Sequence, residues 1–324
     1  RFVPRVGAPI KTCTVSPDGR VFALGLLNNT VKLVDATSNH SKRLIRAFTH
    51  MHGSASVPVG IVAAPRATVP GARPVATNGM PNTLQLYDAA ADRLVDELEV
   101  APPNAVRRDV RRGWLLPVAR VEHAAFTSDG LWLVTVDQRA PGRGSGAEPE
   151  CSLKFWLYSD ATQRYELNTR VDGPHAGRVT ALACHPRTHM AVTASEDARF
   201  KTWVAAPQAS IQRSASGRLL YPPRTWHCRA EGYYRGLAFS SASFSPDGTV
   251  LALASRRVVS LWDPAAAALR FALAHPLPAK DDAVRSALFV HGCPLLVVVA
   301  PSALFVWNLV SRSLWWSYRA HFTH

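Results

Sequence analysis

At 324 residues, with 47% of them hydrophobic, the chain exceeds the usual compact domain of about 100–200 residues and holds enough apolar material for a large core. Its five cysteines (Cys13, Cys151, Cys184, Cys228 and Cys293) are widely spaced with no CxxC pair, which argues against a disulfide framework or a zinc knuckle and fits a reducing compartment. The formal charge of +14, mostly arginine, favours polyanionic or acidic partners; a GC-rich genome would inflate arginine in the same way, and the total charge alone leaves both readings open.

The chain begins Arg1-Phe2-Val3-Pro4 with no methionine, so it reads as a fragment and a signal peptide cannot be assessed. Thr12 to Val15 reads as a strand, Ser16-Pro17-Asp18-Gly19 as a turn, and Val21 to Leu26 and Thr30 to Asp35 as two more strands joined at Asn28-Asn29. Leu44 to Phe48 follows as an outer fourth strand. A weaker second unit has strands at Val57 to Ala63, Pro74 to Thr77, Thr83 to Asp88 and Leu94 to Val100, with its turn at Asn78-Gly79. Residues 101–117 read as a basic linker carrying Arg107, Arg108, Arg111 and Arg112.

The third unit (118–171) has strands at Trp132 to Asp137 and Leu153 to Tyr158, separated by a Gly/Pro-rich insertion at 138–150. In the fourth (175–231) the strands are Val179 to His185, His189 to Ser195, Arg199 to Val204 and Thr225 to Ala230, with a polar, basic insertion at 206–224. Most complete is the fifth (233–274). There Ser245-Pro246-Asp247-Gly248 repeats the opening turn, Val250 to Ser255 and Val258 to Trp262 are tightly linked, and Leu269 to Leu273 lies outside. The sixth (283–320) has strands at Val284 to Val290, Leu295 to Val299, Ala303 to Asn308 and Leu314 to Tyr318.

With units one and two at 10–50 and 55–100, the third-strand position falls at Val34, Tyr87, Trp156, Trp203, Trp262 and Trp307, spaced by 53, 69, 47, 59 and 45 residues. The shorter spacings match the period of about 40–45 residues of a WD-repeat blade. No long window has helical periodicity, so the fold class is all-β, a WD-repeat β-propeller with six countable blades. Such rings most often have seven blades. The expectation is an incomplete ring whose gap is filled by chain beyond His324 or by a partner. Phe289 to Val310 is uncharged and long enough to span a membrane, but Gly292-Cys293-Pro294 and Ala300-Pro301-Ser302 cut it into strand-length pieces, so no membrane segment is expected.

His175, Ser195 (or Thr193), Asp197 and Trp203 resemble a catalytic triad beside an aromatic wall. The repeat offers a better account: a hydrogen-bonded network that ties one blade together. Cys184, His185 and His189 lack a fourth ligand nearby, and Asp18, Asp129, Asp197 and Asp247 sit in turns, where their role is conformational. No paired carboxylates or phosphate cradle are evident, so neither an enzyme, a cofactor, a metal nor a small-molecule substrate is expected. Two arginine groups remain as candidate contacts for RNA or acidic partners: Arg107, Arg108, Arg111 and Arg112, and Arg213, Arg218 and Arg224. Their alternative reading is solvated loop charge.

Several stretches are similar to the WD repeat-containing protein 75 family: LKFWLYSDATQRYELNTRVDGPH at 153–175, VTALAC at 179–184, TASEDARFKTW at 193–203, and the run from TWHC at 225–228 to SLWD at 260–263. FVPRVGAPIKTCTVSPDG at 2–19 and NTLQLYD at 82–88 fit the same pattern. The resemblance implies the second propeller of a tandem-propeller, non-enzymatic, nucleolar subunit of the t-UTP (UtpA) complex in the small-subunit processome. It implies a role in pre-ribosomal RNA transcription and 18S rRNA processing, with partners among the other WD-repeat and helical subunits of that complex, pre-ribosomal RNA and the small nucleolar RNA particle. The family's first propeller and C-terminal tail are missing from this chain, the insertions at 138–150 and 206–224 have their own composition, and the family supplies no compact motif to carry over residue by residue. A WD-repeat adaptor of another nuclear complex, such as a ubiquitin-ligase substrate receptor or a chromatin reader, is the competing expectation.

Overall fold

The structure is a computed structural model that describes residues 6–16, 18–26, 28, 30–46, 61–65, 74–80, 82–88, 91–102, 119–140, 149–207, 224–275 and 282–320. Among the described residues there are 24 strands and no helix, arranged as six four-stranded antiparallel sheets. The first sheet joins β1 (Ile10–Val15), β2 (Val21–Leu26), β3 (Val31–Asp35) and β4 (Ser41–Ile45); the second joins β5 (Ile61–Ala63), β6 (Val75–Asn78), β7 (Thr83–Asp88) and β8 (Arg93–Glu99). The third contains β9 (Arg120–Phe126), β10 (Trp132–Arg139), β11 (Glu150–Ser159) and β12 (Arg164–Asp172). In the fourth are β13 (Val179–Cys184), β14 (Met190–Ser195), β15 (Arg199–Pro207) and β16 (Arg224–Tyr233). The fifth has β17 (Ser241–Phe244), β18 (Leu251–Ser255), β19 (Val258–Asp263) and β20 (Ala268–Ala274), and the sixth β21 (Ser286–Phe289), β22 (Leu295–Ala300), β23 (Ala303–Asn308) and β24 (Ser313–Arg319). Each sheet is a meander, the unit of a propeller blade.

Contacts divide the chain into two compact units. One comprises the described parts of Arg1–Glu122, Asp137–Pro149 and Thr162–Arg164; the other comprises those of His123–Val136, Glu150–Ala161 and Tyr165–His324. In the second unit the central strands are buried on both faces, every residue of β14 and β18 included, because apolar side chains alternate to two neighbouring layers. Trp132, Leu153, Phe155, Ala191, Trp203 and Trp226 share one cluster, and Val192, Phe200, Phe239, Leu251, Leu253 and Trp262 share the next. Phe155 stacks on Trp226 at 4.4 Å, and Trp132 meets the same indole edge-on at 5.5 Å. The first unit has a smaller cluster of Leu24, Leu26 and Val34.

Side-chain hydrogen bonds link successive inner strands in the second unit. His123 Nε2 donates to the Val179 carbonyl at 3.1 Å, Thr180 Oγ1 to that of Phe239 at 2.7 Å, and Ser243 Oγ to that of Ala287 at 2.7 Å. They tie each of these blades to the next through backbone carbonyl acceptors.

Several boundaries differ from the sequence reading. β4 starts at Ser41, earlier than expected, since Val34 already pairs with Ser41. Asn78 is a strand residue rather than a turn residue: its amide Nδ2 is buried and donates to the Val121 carbonyl at 3.0 Å. Strands β10 and β11 extend into the expected 138–150 insertion, and β15 and β16 into 206–224, because paired backbone carries the hairpins past their apolar stretches. The uncharged run at 289–310 forms the β22–β23 hairpin, and no helix among the described residues is long and apolar enough to cross a membrane.

Candidate interaction surface and the blade network

The fourth blade brings its polar side chains together in one directional chain. Trp203, on the third strand, donates its indole N–H to Thr193 Oγ1 at 2.9 Å. Thr193 Oγ1 lies 2.8 Å from His175 Nε2, and His175 Nδ1 lies 3.1 Å from Asp197 Oδ2. Burial favours a neutral imidazole, and the Asp197 carboxylate then places its proton on Nδ1: Nδ1–H donates to the carboxylate while Nε2 accepts from the threonine hydroxyl. Burial pushes the His175 pKa down, and the Asp197 charge opposes that only in part. For Asp197 burial works upward, but the Arg199 amide, His175 and the Ala176 amide outweigh it and hold the carboxyl below its usual range.

Ser195 is not the link between the imidazole and the indole. Its hydroxyl accepts the Asp197 backbone N–H at 3.2 Å and shapes the turn, while Thr193, one pleat earlier on the same face, makes the bridge. No step of nucleophilic activation follows from this arrangement, because the hydroxyl nearest the imidazole is fully buried and already accepts from an indole. Gly177 lets the chain pass close by: a Cβ there would sit 2.9 Å from the Asp197 nitrogen.

Cys184, His185 and His189 do not converge. The Cys184 thiol is pushed up to about 12 by burial. His185 donates from Nε2 to the Gly248 carbonyl at 3.0 Å, and its Nδ1 accepts the amides of Arg187 and Thr188. His189 instead reaches Asp129 at 2.7 Å. Gly248, at φ +78°, completes the turn and leaves room for the His185 ring, which a Cβ would approach to 2.3 Å. In the same turn the Ser245 and Thr249 hydroxyls hold the Asp247 carboxyl down to about 2, and the pattern repeats at Ser16 with Asp18 and at Thr127 with Asp129. Turn aspartates are therefore occupied with backbone and hydroxyl groups.

A cleft of about 650 Å³ opens between the fourth and fifth blades, lined by His185, Met190, Arg224, Arg229, Asp263 and Arg270 among others. Arg270 is committed to Asp263 at 2.5 Å. Arg224 and Arg229 are exposed and have no carboxylate partner among the described residues. Arg224, expected in a loop, lies on β16 opposite Pro207. Its carbonyl accepts from Asn168 at 3.1 Å, and two residues on Trp226 is buried, so the backbone behind this guanidinium is fixed. The basic run Arg107, Arg108, Arg111 and Arg112 lies outside the described residues, as do Arg213 and Arg218. Arg229 was not singled out in the sequence, although it lies in the same outer strand as Arg224.

Six antiparallel four-stranded blades, with an indole-centred polar network in the fourth, define a WD-repeat β-propeller protein. Residues 68–323 match the family model described as the WD repeat-containing protein 75 second beta-propeller, and the chain belongs to that family. It is 28% identical to WD repeat-containing protein 75 of Homo sapiens over 98% of this chain and 35% of that protein, and 28% identical to its Danio rerio counterpart over the same shares. It is 23% identical to U3 small nucleolar RNA-associated protein 17 of Schizosaccharomyces pombe, over 100% of this chain and 42% of that protein. The chain thus spans about a third of the length of the first of these relatives.

Proposed function

We propose that this chain is the second propeller of a non-enzymatic scaffold subunit of the small-subunit processome, within the t-UTP (UtpA) complex, acting in the nucleolus on pre-ribosomal RNA transcription and 18S rRNA processing. The observation that carries this reading is the family match over 68–323, supported by a fission yeast relative whose name associates it with U3 small nucleolar RNA. Two physical features agree with a scaffold. The polar constellation that could have been an active site is spent on holding one blade, and a propeller displays several rigid faces to several partners. Arg224 and Arg229, on an anchored strand, supply guanidinium forks suited to phosphate, and Arg107, Arg108, Arg111, Arg112, Arg213 and Arg218 add to a chain of net charge +14.

The test is recovery of the full-length protein from nuclear extract after crosslinking. U3 small nucleolar RNA, precursor rRNA and the other t-UTP subunits are expected with it; ubiquitin-ligase subunits or histones in their place would overturn the assignment. Replacing Arg107, Arg108, Arg111 and Arg112 by Glu should weaken RNA crosslinking and flatten its salt dependence, and Arg224→Glu with Arg229→Glu should do so separately. Unchanged crosslinking in both variants would return these side chains to plain solvated charge.

A further inference from the structure

The outer strand of the sixth blade differs from the other outer strands. All seven residues of β24 are exposed, and Trp315, Trp316 and Tyr318 are 67%, 50% and 55% accessible. Trp316 and Tyr318 lie side by side with rings 5.9 Å apart and only 3° from parallel, and Trp315 is the extra residue at an irregularity in the β23 pairing. β24 ends its sheet, so one row of its backbone N–H and C=O groups has no strand to pair with among the described residues. Outer strands β8, with Asp96, Glu97 and Glu99, and β16, with Arg224, Arg229 and Glu231, carry charge that discourages edge pairing; β20 has a single charge, Arg270, but no exposed aromatic pair. β24 has only the terminal Arg319.

The strands and turns of the sixth blade itself carry formal charge of one sign, although Asp282 lies just before them and hydrogen-bonds Ser302. From residue 283 to residue 320 the sequence contains no Asp or Glu, while Arg285, Arg312 and Arg319 are present. Arg312, in the turn that leads into β24, is held 5.2 Å over the Phe271 ring, which fixes a cation at one end of the strand; Arg319 stands at the other.

We propose that β24 is a docking edge for an extended segment of a partner protein, which pairs antiparallel or parallel with β24 as a fifth strand, sets apolar side chains against Trp316 and Tyr318, and carries Asp or Glu toward Arg312 and Arg319. The free backbone row supplies the hydrogen bonds of strand addition, and the aromatic pair supplies the anchor. A second copy of this chain is disfavoured because it would bring the same arginines and a +14 body to the edge. Single-stranded RNA would use the rings, but it takes its affinity from many phosphate contacts, whereas this strand is mostly apolar and its edge row of amides would be left idle.

The experiment pans the purified chain against displayed random peptides of about ten residues, long enough to cover a seven-residue strand. Enriched sequences should alternate apolar residues and carry Asp or Glu. A synthetic copy of one should slow amide exchange across 313–319 and bind the Trp316→Ala, Tyr318→Ala double variant about thirtyfold more weakly or worse. Arg312→Glu with Arg319→Glu should cost at least about tenfold and lessen the salt dependence. Both variants change exposed side chains, and an unchanged melting transition certifies their folding. Selected peptides without acidic residues, binding indifferent to both variants, or unaltered exchange at 313–319 would each overturn the proposal. So would a dimer of the wild-type chain that the double variant dissolves, or an oligouridine that competes with the peptide and needs the same rings.

Discussion

The fourth and sixth blades solve one problem in two ways. Each has a tryptophan on its third strand whose indole N–H is turned toward the interior, Trp203 and Trp307. In the fourth blade Trp203 donates to Thr193, which passes the bond to His175 and then to Asp197. In the sixth, the position equivalent to Thr193 is Val298, as the pairing of Leu296 with Trp307 and of Ala191 with Trp203 shows. There Trp307 donates straight to His275 Nε2 at 2.9 Å, and His275 Nδ1 donates to the Arg257 carbonyl at 3.2 Å. The fifth blade uses a third route: Trp262 donates to Ser260 at 2.9 Å, while Ser255, the counterpart of Ser195, has an orphaned hydroxyl among the described residues. What recurs is an acceptor for the third-strand indole, which the buried indoles of Trp132 and Trp226 at other positions do without among the described residues, and the four-residue set is only one way to supply it.

That contrast can be broken. Trp203→Ala removes the aromatic and strands the Thr193 bridge, and is expected to cost about 3–5 kcal/mol in denaturant unfolding. Partner binding should be lost only in proportion to unfolding; a variant that melts normally yet loses its partners would make Trp203 a contact residue instead of a core one.

Acid should separate the two histidines. Burial pushes His275 down to about 4 from an unfolded value near 6.5, and its hydrogen bonds to backbone carbonyls offset that only in part. The folded protein refuses a proton that the unfolded chain accepts, so stability falls as pH drops from about 6.5 to about 4, by up to about 3 kcal/mol at the end of that window. His275→Gln, whose amide oxygen can still accept from Trp307, should flatten the slope. His175 is also depressed, but Asp197 offsets part of the burial, so His175→Gln should flatten it less. Equal flattening in urea titrations across this range would erase the distinction between the blades.

Thr193→Val keeps the shape of the side chain and deletes the bridge, leaving the indole and the imidazole without their shared partner; about 1–3 kcal/mol should be lost. If the loss is no greater than that of Ser195→Ala, the bridge contributes nothing beyond an ordinary hydrogen bond. Ser195→Ala itself removes only an acceptor for the Asp197 amide and should cost about 1 kcal/mol, the smallest effect of the series, measured by the same unfolding curves.

Much of this protein could be read before folding. The turns at Ser16 to Gly19 and Ser245 to Gly248 are visible because a hydroxyl, an aspartate and a glycine at fixed offsets are local chemistry, and the positive φ of Gly19 and Gly248 follows from it. The six blades are visible because apolar strands recur in each unit and an aromatic marks the third strand in five of them, Tyr87, Trp156, Trp203, Trp262 and Trp307. The network residues are visible as a set, but their wiring is not. Thr193 and Ser195 lie two apart and point to the same face of β14, so a period of two cannot choose between them; only the 2.8 Å approach of His175 does. His275 escaped for a similar reason, since its tryptophan lies 32 residues further along the chain. Arg224 read as loop charge because its segment is polar, whereas pairing with Pro207 and the burial of Trp226 make it a strand residue. The bare edge at β24 was likewise invisible: Leu, Trp and Tyr look like core in a sequence, and only the end position of that strand in its sheet leaves them in water.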